Sequence, residues 1–148
     1  MASEADLYVV VSVAGESLGL RTRAVLKVIE VGALARLPRL PDPVLGVTPY
    51  RGRIITLVDL AAVLGRGSHK AATASQRAVL MDLGNRNVGL RVEGVETIAV
   101  MDHVEPRRQG GDDELVVSVA LCGERTVGLI DEGRLAKKIA GLCDPARA

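Results

Sequence analysis

Two histidines, two cysteines and one run of small, polar and basic residues are where chemistry would first be sought in this 148-residue chain. His69 and His103 stand in separate polar stretches, and Cys122 and Cys143 are likewise apart, so neither CxxC nor HxxxH offers metal ligands at workable spacing. Gly65 to Lys70, G-R-G-S-H-K, shares a composition with phosphate loops but lacks the spacing G-x-x-x-x-G-K-[ST] that cradles a phosphate. G-x-S-x-G is absent, and local context suggests no Ser-His-Asp arrangement. Asp112, Asp113 and Glu114 form the kind of acidic run that solvated loops carry. No catalytic residue, metal ligand or cofactor-binding residue is expected, and the chain reads as a non-enzyme.

What the chain does offer is an arginine. In Val44 to Leu60, V-L-G-V-T-P-Y-R-G-R-I-I-T-L-V-D-L, a turn rich in Pro and Gly projects Arg51, and a buried-looking strand, Ile54 to Val58, follows and ends in Asp59. A guanidinium held on a stiff turn between apolar elements suits recognition by charge and hydrogen bonding. The alternative is a surface arginine paired with a neighbouring carboxylate.

The elements that position it read as mostly β. Val9 to Leu20, Ala78 to Leu90 and Val117 to Leu129 each run as an apolar strand, a Gly with polar residues, then a second strand opening on Gly-Leu, which is a hairpin signature. The second Gly, inside a strand, predicts a bulge or a close backbone approach. Ala24 to Val31 alternates from Leu26 as a half-exposed strand, and four prolines keep Leu37 to Tyr50 out of helix or central strand. Leu60 to Leu64 reads as one helical turn capped by Asp59, Val95 to Met101 as a strand, and Glu132 to Leu142 as a C-terminal helix. Gly65 to Gln76 and His103 to Asp113 read as polar loops. Those loops divide the chain into halves of similar build, which predicts two small barrels sharing a core.

The length suits one domain, residues 1–148, and the core must be aliphatic because the chain has no Phe or Trp and only Tyr8 and Tyr50. Net charge is +1, so bulk electrostatics call for neither nucleic acid nor membrane. The N-terminal half is locally basic (Arg21, Arg23, Lys27, Arg36, Arg39, Arg51, Arg53). The later half is acidic (Glu93, Glu96, Asp102, Glu105, Asp112, Asp113, Glu114), either as solvated loops or as two faces meeting oppositely charged neighbours. Free thiols, no basic leader and no apolar run of spanning length predict a cytoplasmic protein without direct membrane insertion.

Taken together, these residues resemble the CheW family of chemotaxis coupling proteins. G-V-T-P-Y-R-G-R-I-I-T-L-V-D-L (Gly46 to Leu60) is similar to that family's Gly-Val-x-Asn-Leu-Arg-Gly, apolar strand and Asp-Leu. L-K-V-I-E-V (Leu26 to Val31), N-V-G-L-R-V-E-G-V (Asn87 to Val95) and G-E-R-T-V-G-L-I-D (Gly123 to Asp131) resemble the family's other motifs in the right order. The resemblance runs from about Leu7 to Leu135.

It implies an all-β fold of two intertwined five-stranded SH3-like β-barrels with short helices and a C-terminal helix. The first barrel is expected over about residues 15–64. The second is expected over about residues 77–131 with the N-terminal strand, and the helix over 132–142. It also implies an adaptor that couples a methyl-accepting chemoreceptor's cytoplasmic tip to the regulatory domain of a CheA-type histidine kinase, with pairing between CheW-like barrels as a further contact. By position, Val28 and Arg51 would lie at the receptor groove, and Glu30 and Gly46 on or beside the coupling surfaces. Gly52 accompanies Arg51, with backbone freedom for the turn as its structural reading. Val28 has core packing as its structural reading, and Glu30 a pairing with an arginine of its own sheet.

Three departures stand out. Pro49 replaces the signature Asn, removing a side-chain amide and a backbone donor at the turn that aims Arg51. Thr56 stands where the family often has Pro, and Glu93 where Asp is usual before Gly94-Val95. They leave open an accessory adaptor that binds receptor without coupling to kinase. A reading of another class, a small β-barrel that binds nucleic acid, needs surface aromatics in a basic groove, and two tyrosines supply few.

Overall fold

The computed structural model describes residues 7–32, 34–35, 41, 43–66, 76–83, 86–107 and 114–143. In chain order its strands are β1 (Leu7–Val13), β2 (Glu16–Arg21), β3 (Val25–Val31), β4 (Val44–Tyr50), β5 (Arg53–Asp59), β6 (Gln76–Asp82), β7 (Asn87–Val92), β8 (Gly94–Val100), β9 (Asp102–Pro106), β10 (Val116–Cys122) and β11 (Arg125–Ile130). A 3-10 turn (Thr22–Ala24) follows β2, a four-residue helix α1 (Leu60–Val63) follows β5, and α2 (Glu132–Cys143) follows β11.

The predicted hairpins form as β1–β2, β6–β7 and β10–β11, all antiparallel. They do not stay with their own half of the chain. One sheet runs β8-β1-β2-β11-β10-β9 and the other β3-β6-β7-β5-β4. The opening hairpin of each half therefore pairs with the later strands of the other half: β1 takes β8 and β2 takes β11, while β6 takes β3 and β7 takes β5. Residues 16–21 sit in the six-stranded sheet, and residues 76–92 supply two strands of the five-stranded one. Two of these four crossings are parallel pairs, Leu129 beside Gly19 and Leu57 beside Gly89. A Cβ on Gly19 would lie 2.9 Å from Leu129 Cδ2, and one on Gly89 3.1 Å from Leu57 Cδ1, so the second glycine of each hairpin marks the close approach expected of it.

Each sheet is apolar on both faces, which explains runs such as Val9-Val10-Val11 that do not alternate. Val9 and Val11 enter the large cluster between the sheets, with Leu18 and Ile130 from the same sheet and Val79, Met81, Val88 and Leu90 from the other. Val10 turns to the opposite face, packing with Tyr8, Met101, Ala120, Val127 and Leu129. The five-stranded sheet has its own outer cluster of Ile29, Val31, Leu57 and Ala78, against which Tyr50 packs. Leu135 and Ile139 of α2 close the shared core, and Arg23 Nε donates to Glu132 at 2.7 Å where that helix begins.

Two expectations are corrected. His103 to Asp113 is not wholly loop, because Asp102–Pro106 forms edge strand β9 against β10. All five of its residues are exposed, so no buried alternation marked it. Asp59 does not cap α1; its side chain makes no cap hydrogen bond and faces Arg91 instead.

Candidate partner-binding site

Arg51 and Gly52 are the two central residues of the β4–β5 hairpin, with Tyr50 opposite Arg53 closing the turn. Their φ values are +48° and +77°, the left-handed pair that a type I′ turn requires. Gly52 adopts this without strain, whereas an arginine there costs about 1 kcal/mol. Arg51 is exposed, no carboxylate of the described residues pairs with it, and its guanidinium carbon lies 5.5 Å from the centre of the Tyr50 ring.

Pro49 costs this hairpin nothing in its ladder. Val47 exchanges bonds of 2.8 and 2.9 Å with Ala35 on the outer side of β4. Alternation then points the backbone nitrogen of Pro49, two residues on, outward as well. The donor that proline removes therefore belongs to the sheet edge and not to the turn that aims Arg51. Beside it, Ile54 is 69% exposed opposite Pro49, which corrects the expectation of a strand buried from Ile54 onward; burial begins at Ile55.

Gly46 sits at the bulge in the β4–β5 pairing with φ of +150°, and it is buried. A Cβ there would approach Ala35 O to 2.3 Å. Its contribution is to let the chain leaving β3 cross close over β4.

Val28 and Glu30 share one face of β3, an edge strand, and Leu26 stands at the irregularity in the β3–β6 pairing. Val28 is opposite the fully buried Val79 of the shared core, yet it is 37% exposed, and Leu26 is 52% exposed. The apolar face between the sheets thus runs out to solvent along β3. Glu30 lies opposite Arg77, both are exposed, and no ion pair joins them.

Four of the five residues singled out from sequence thus form two groups toward opposite ends of one sheet's strand order, Val28 and Glu30 on β3 and Arg51 and Gly52 at the β4–β5 tip, with Gly46 buried within β4. The segment carrying Ala35 joins one edge to the other, beside Gly46. Leu26, Tyr50 and Ile54 are the surface or supporting residues that sequence reasoning missed. Only Tyr50 carried a signal, its adjacency to Arg51.

Three carboxylates of the acidic half are engaged within the fold. Glu93 Oε1 accepts from Ala14 N at 2.8 Å, Glu96 accepts from Ser17 Oγ at 3.0 Å and pairs with Arg125, and Glu114 pairs with Arg107 at 3.3 Å. Asp112 and Asp113, like Arg36, Arg39 and His69, lie outside the described residues. Among the described residues no group of three or more His, Cys, Asp or Glu is placed to hold a metal ion, and no helix is long and apolar enough to cross a membrane.

Residues 7–140 match the family model described as the CheW-like domain. Protein FrzA of Myxococcus xanthus is 33% identical over 98 residues, a stretch covering 64% of this chain and 60% of that protein. The crystal structure of the scaffolding protein TtCheW from Thermoanaerobacter tengcongensis superposes with a TM-score of 0.75 at 24% identity, covering 85% of this chain and 88% of that one, a likeness of fold.

Proposed function

The chain belongs to the CheW-like domain family, and from that premise we propose that it is a non-enzymatic adaptor in a chemosensory array, coupling a methyl-accepting chemoreceptor's cytoplasmic tip to the regulatory domain of a CheA-type histidine kinase. The work is positional. A scaffold that holds receptor and kinase together passes a signal only if its contacts differ between the kinase's two states. The Arg51 turn carries the reading: an exposed guanidinium, unpaired among the described residues, held in a strained conformation at the tip of a hairpin. Backbone strain of this kind concentrates where a side chain must be presented. The exposed Val28 on one edge of the sheet supplies apolar surface with Glu30 as a charge beside it, and Arg51 at the other edge supplies a second, separate charged contact. Tyr8 is 7% exposed, which leaves little aromatic surface for stacking bases and favours a protein partner over nucleic acid. A cytoplasmic location follows from this role.

The test is a paired binding measurement, wild type beside Arg51→Ala, against the receptor's cytoplasmic hairpin and separately the kinase regulatory domain. Binding to both, with the hairpin affinity of Arg51→Ala reduced about 30-fold or more, is the expected result for an anchoring arginine. Binding to the receptor hairpin alone would make it an accessory adaptor, and binding to neither would overturn the reading.

A further inference from the structure

We infer that Tyr50 is a positioning residue for Arg51, holding the guanidinium over its ring before any partner arrives; this rests on the proposed receptor contact of Arg51. The two tyrosines are the chain's only aromatic residues, and each carries an arginine on its face: Arg21 at 5.4 Å from Tyr8 and Arg51 at 5.5 Å from Tyr50. The two arrangements differ in what they leave free. Tyr8 is buried and Arg21 lies opposite it across the β1–β2 pair, inside the sheet. Tyr50 is half-buried, its ring packing against the outer cluster of the five-stranded sheet, while Arg51 stands beyond the last strand pair with no carboxylate of the described residues to hold it.

An exposed arginine at a turn tip would otherwise sample many rotamers, and a partner would have to freeze them on binding. Here the backbone of the turn sets where the side chain starts, through the left-handed φ of Arg51. The ring sets where it ends, because a guanidinium lies favourably over the face of an aromatic ring. Tyr50 itself packs against the outer apolar cluster of the sheet, so the support runs from the guanidinium toward packed core. The guanidinium is exposed there, and its N–H groups are available to a carboxylate of the partner. Tyr50 stands where the resembling family's signature has Leu, a side chain that packs equally well but offers no π face.

Tyr50→Leu, Tyr50→Phe, Arg51→Ala and the double variant Tyr50→Leu/Arg51→Ala separate the roles. In the free protein, proton NMR should show the Arg51 side-chain resonances shifted upfield by the ring in wild type and Tyr50→Phe, and at ordinary positions in Tyr50→Leu. Against the receptor hairpin, Tyr50→Leu should weaken binding about two- to fivefold, and Tyr50→Phe should restore it. In the Arg51→Ala background, Tyr50→Leu should weaken it no further. Unshifted Arg51 resonances in wild type would overturn the inference. So would a Tyr50→Leu loss that persists without Arg51, which would mean that the ring itself meets the partner. If wild type does not bind the hairpin at all, the adaptor reading fails, while the NMR comparison in the free protein still decides whether Tyr50 holds Arg51.

Discussion

Asp59 and Arg91 stand side by side across the parallel β5–β7 pair, 3.4 Å apart, with side chains 3% and 10% exposed. The pair sits at one of the two parallel crossings among the four pairings in which a strand from one half of the chain meets a hairpin from the other. Removing Asp59 takes a carboxylate partner away from the buried Arg91 guanidinium and leaves a small cavity beside it. Asp59→Ala should therefore lower stability by about 1.5 kcal/mol, read as a fall in the urea midpoint at unchanged slope. A loss below about 0.5 kcal/mol would show that Arg91 is satisfied without it.

Gly46→Ala tests whether that glycine is a contact or a joint. The added methyl would drive into the carbonyl of Ala35, at a φ that side chains rarely adopt. Stability should fall by at least about 2 kcal/mol with no partner present. Unchanged thermal unfolding would instead return Gly46 to the list of surface contacts.

The β1–β2 turn carries an avoidable strain. Ala14 has φ of +50° beside Gly15 at +78°, and only the second is a residue at ease there. Ala14→Asn should raise stability by about 0.5–1 kcal/mol, because asparagine tolerates the left-handed region. The bond from Ala14 N to Glu93 uses the backbone and survives the change, so amide exchange at residue 14 should stay as slow as before.

Val28 and Val79 are cross-strand neighbours of unequal burial, 37% against 0% exposed. Val79→Ala should cost about 2 kcal/mol of stability through the cavity it leaves. Val28→Ala should stay within about 0.5 kcal/mol of wild type while weakening capture of the receptor hairpin. Equal effects of the two on unfolding would place Val28 in the core and remove it from the candidate site.

Hairpins were legible because their information is local: an apolar run, a glycine able to turn the chain, a second apolar run. The C-terminal helix was legible for the same reason, and so was the turn that presents Arg51. Strand β9 was not, since a wholly exposed edge strand buries nothing and leaves no periodic trace. Ile54 was read as buried because a β-branched residue opens an apolar run in the same way whether it faces core or solvent. Its neighbour across the hairpin, Pro49, is exposed too, and that is a fact of pairing.

The sequence by itself determined the strand-rich class, the aliphatic core, the glycines at the two parallel crossings and the turn that carries Arg51. Each of these follows from residue type and near-neighbour spacing. Tertiary structure alone decided which strands share a sheet, that Asp59 pairs with an arginine 32 residues away instead of capping a helix, and that the backbone nitrogen of Pro49 faces outward. The reason is that both sheets are apolar on both faces. A strand with no polar side carries no local record of which neighbour will cover it, and the exchange of hairpins between the halves is settled only when the two sheets close on their common core.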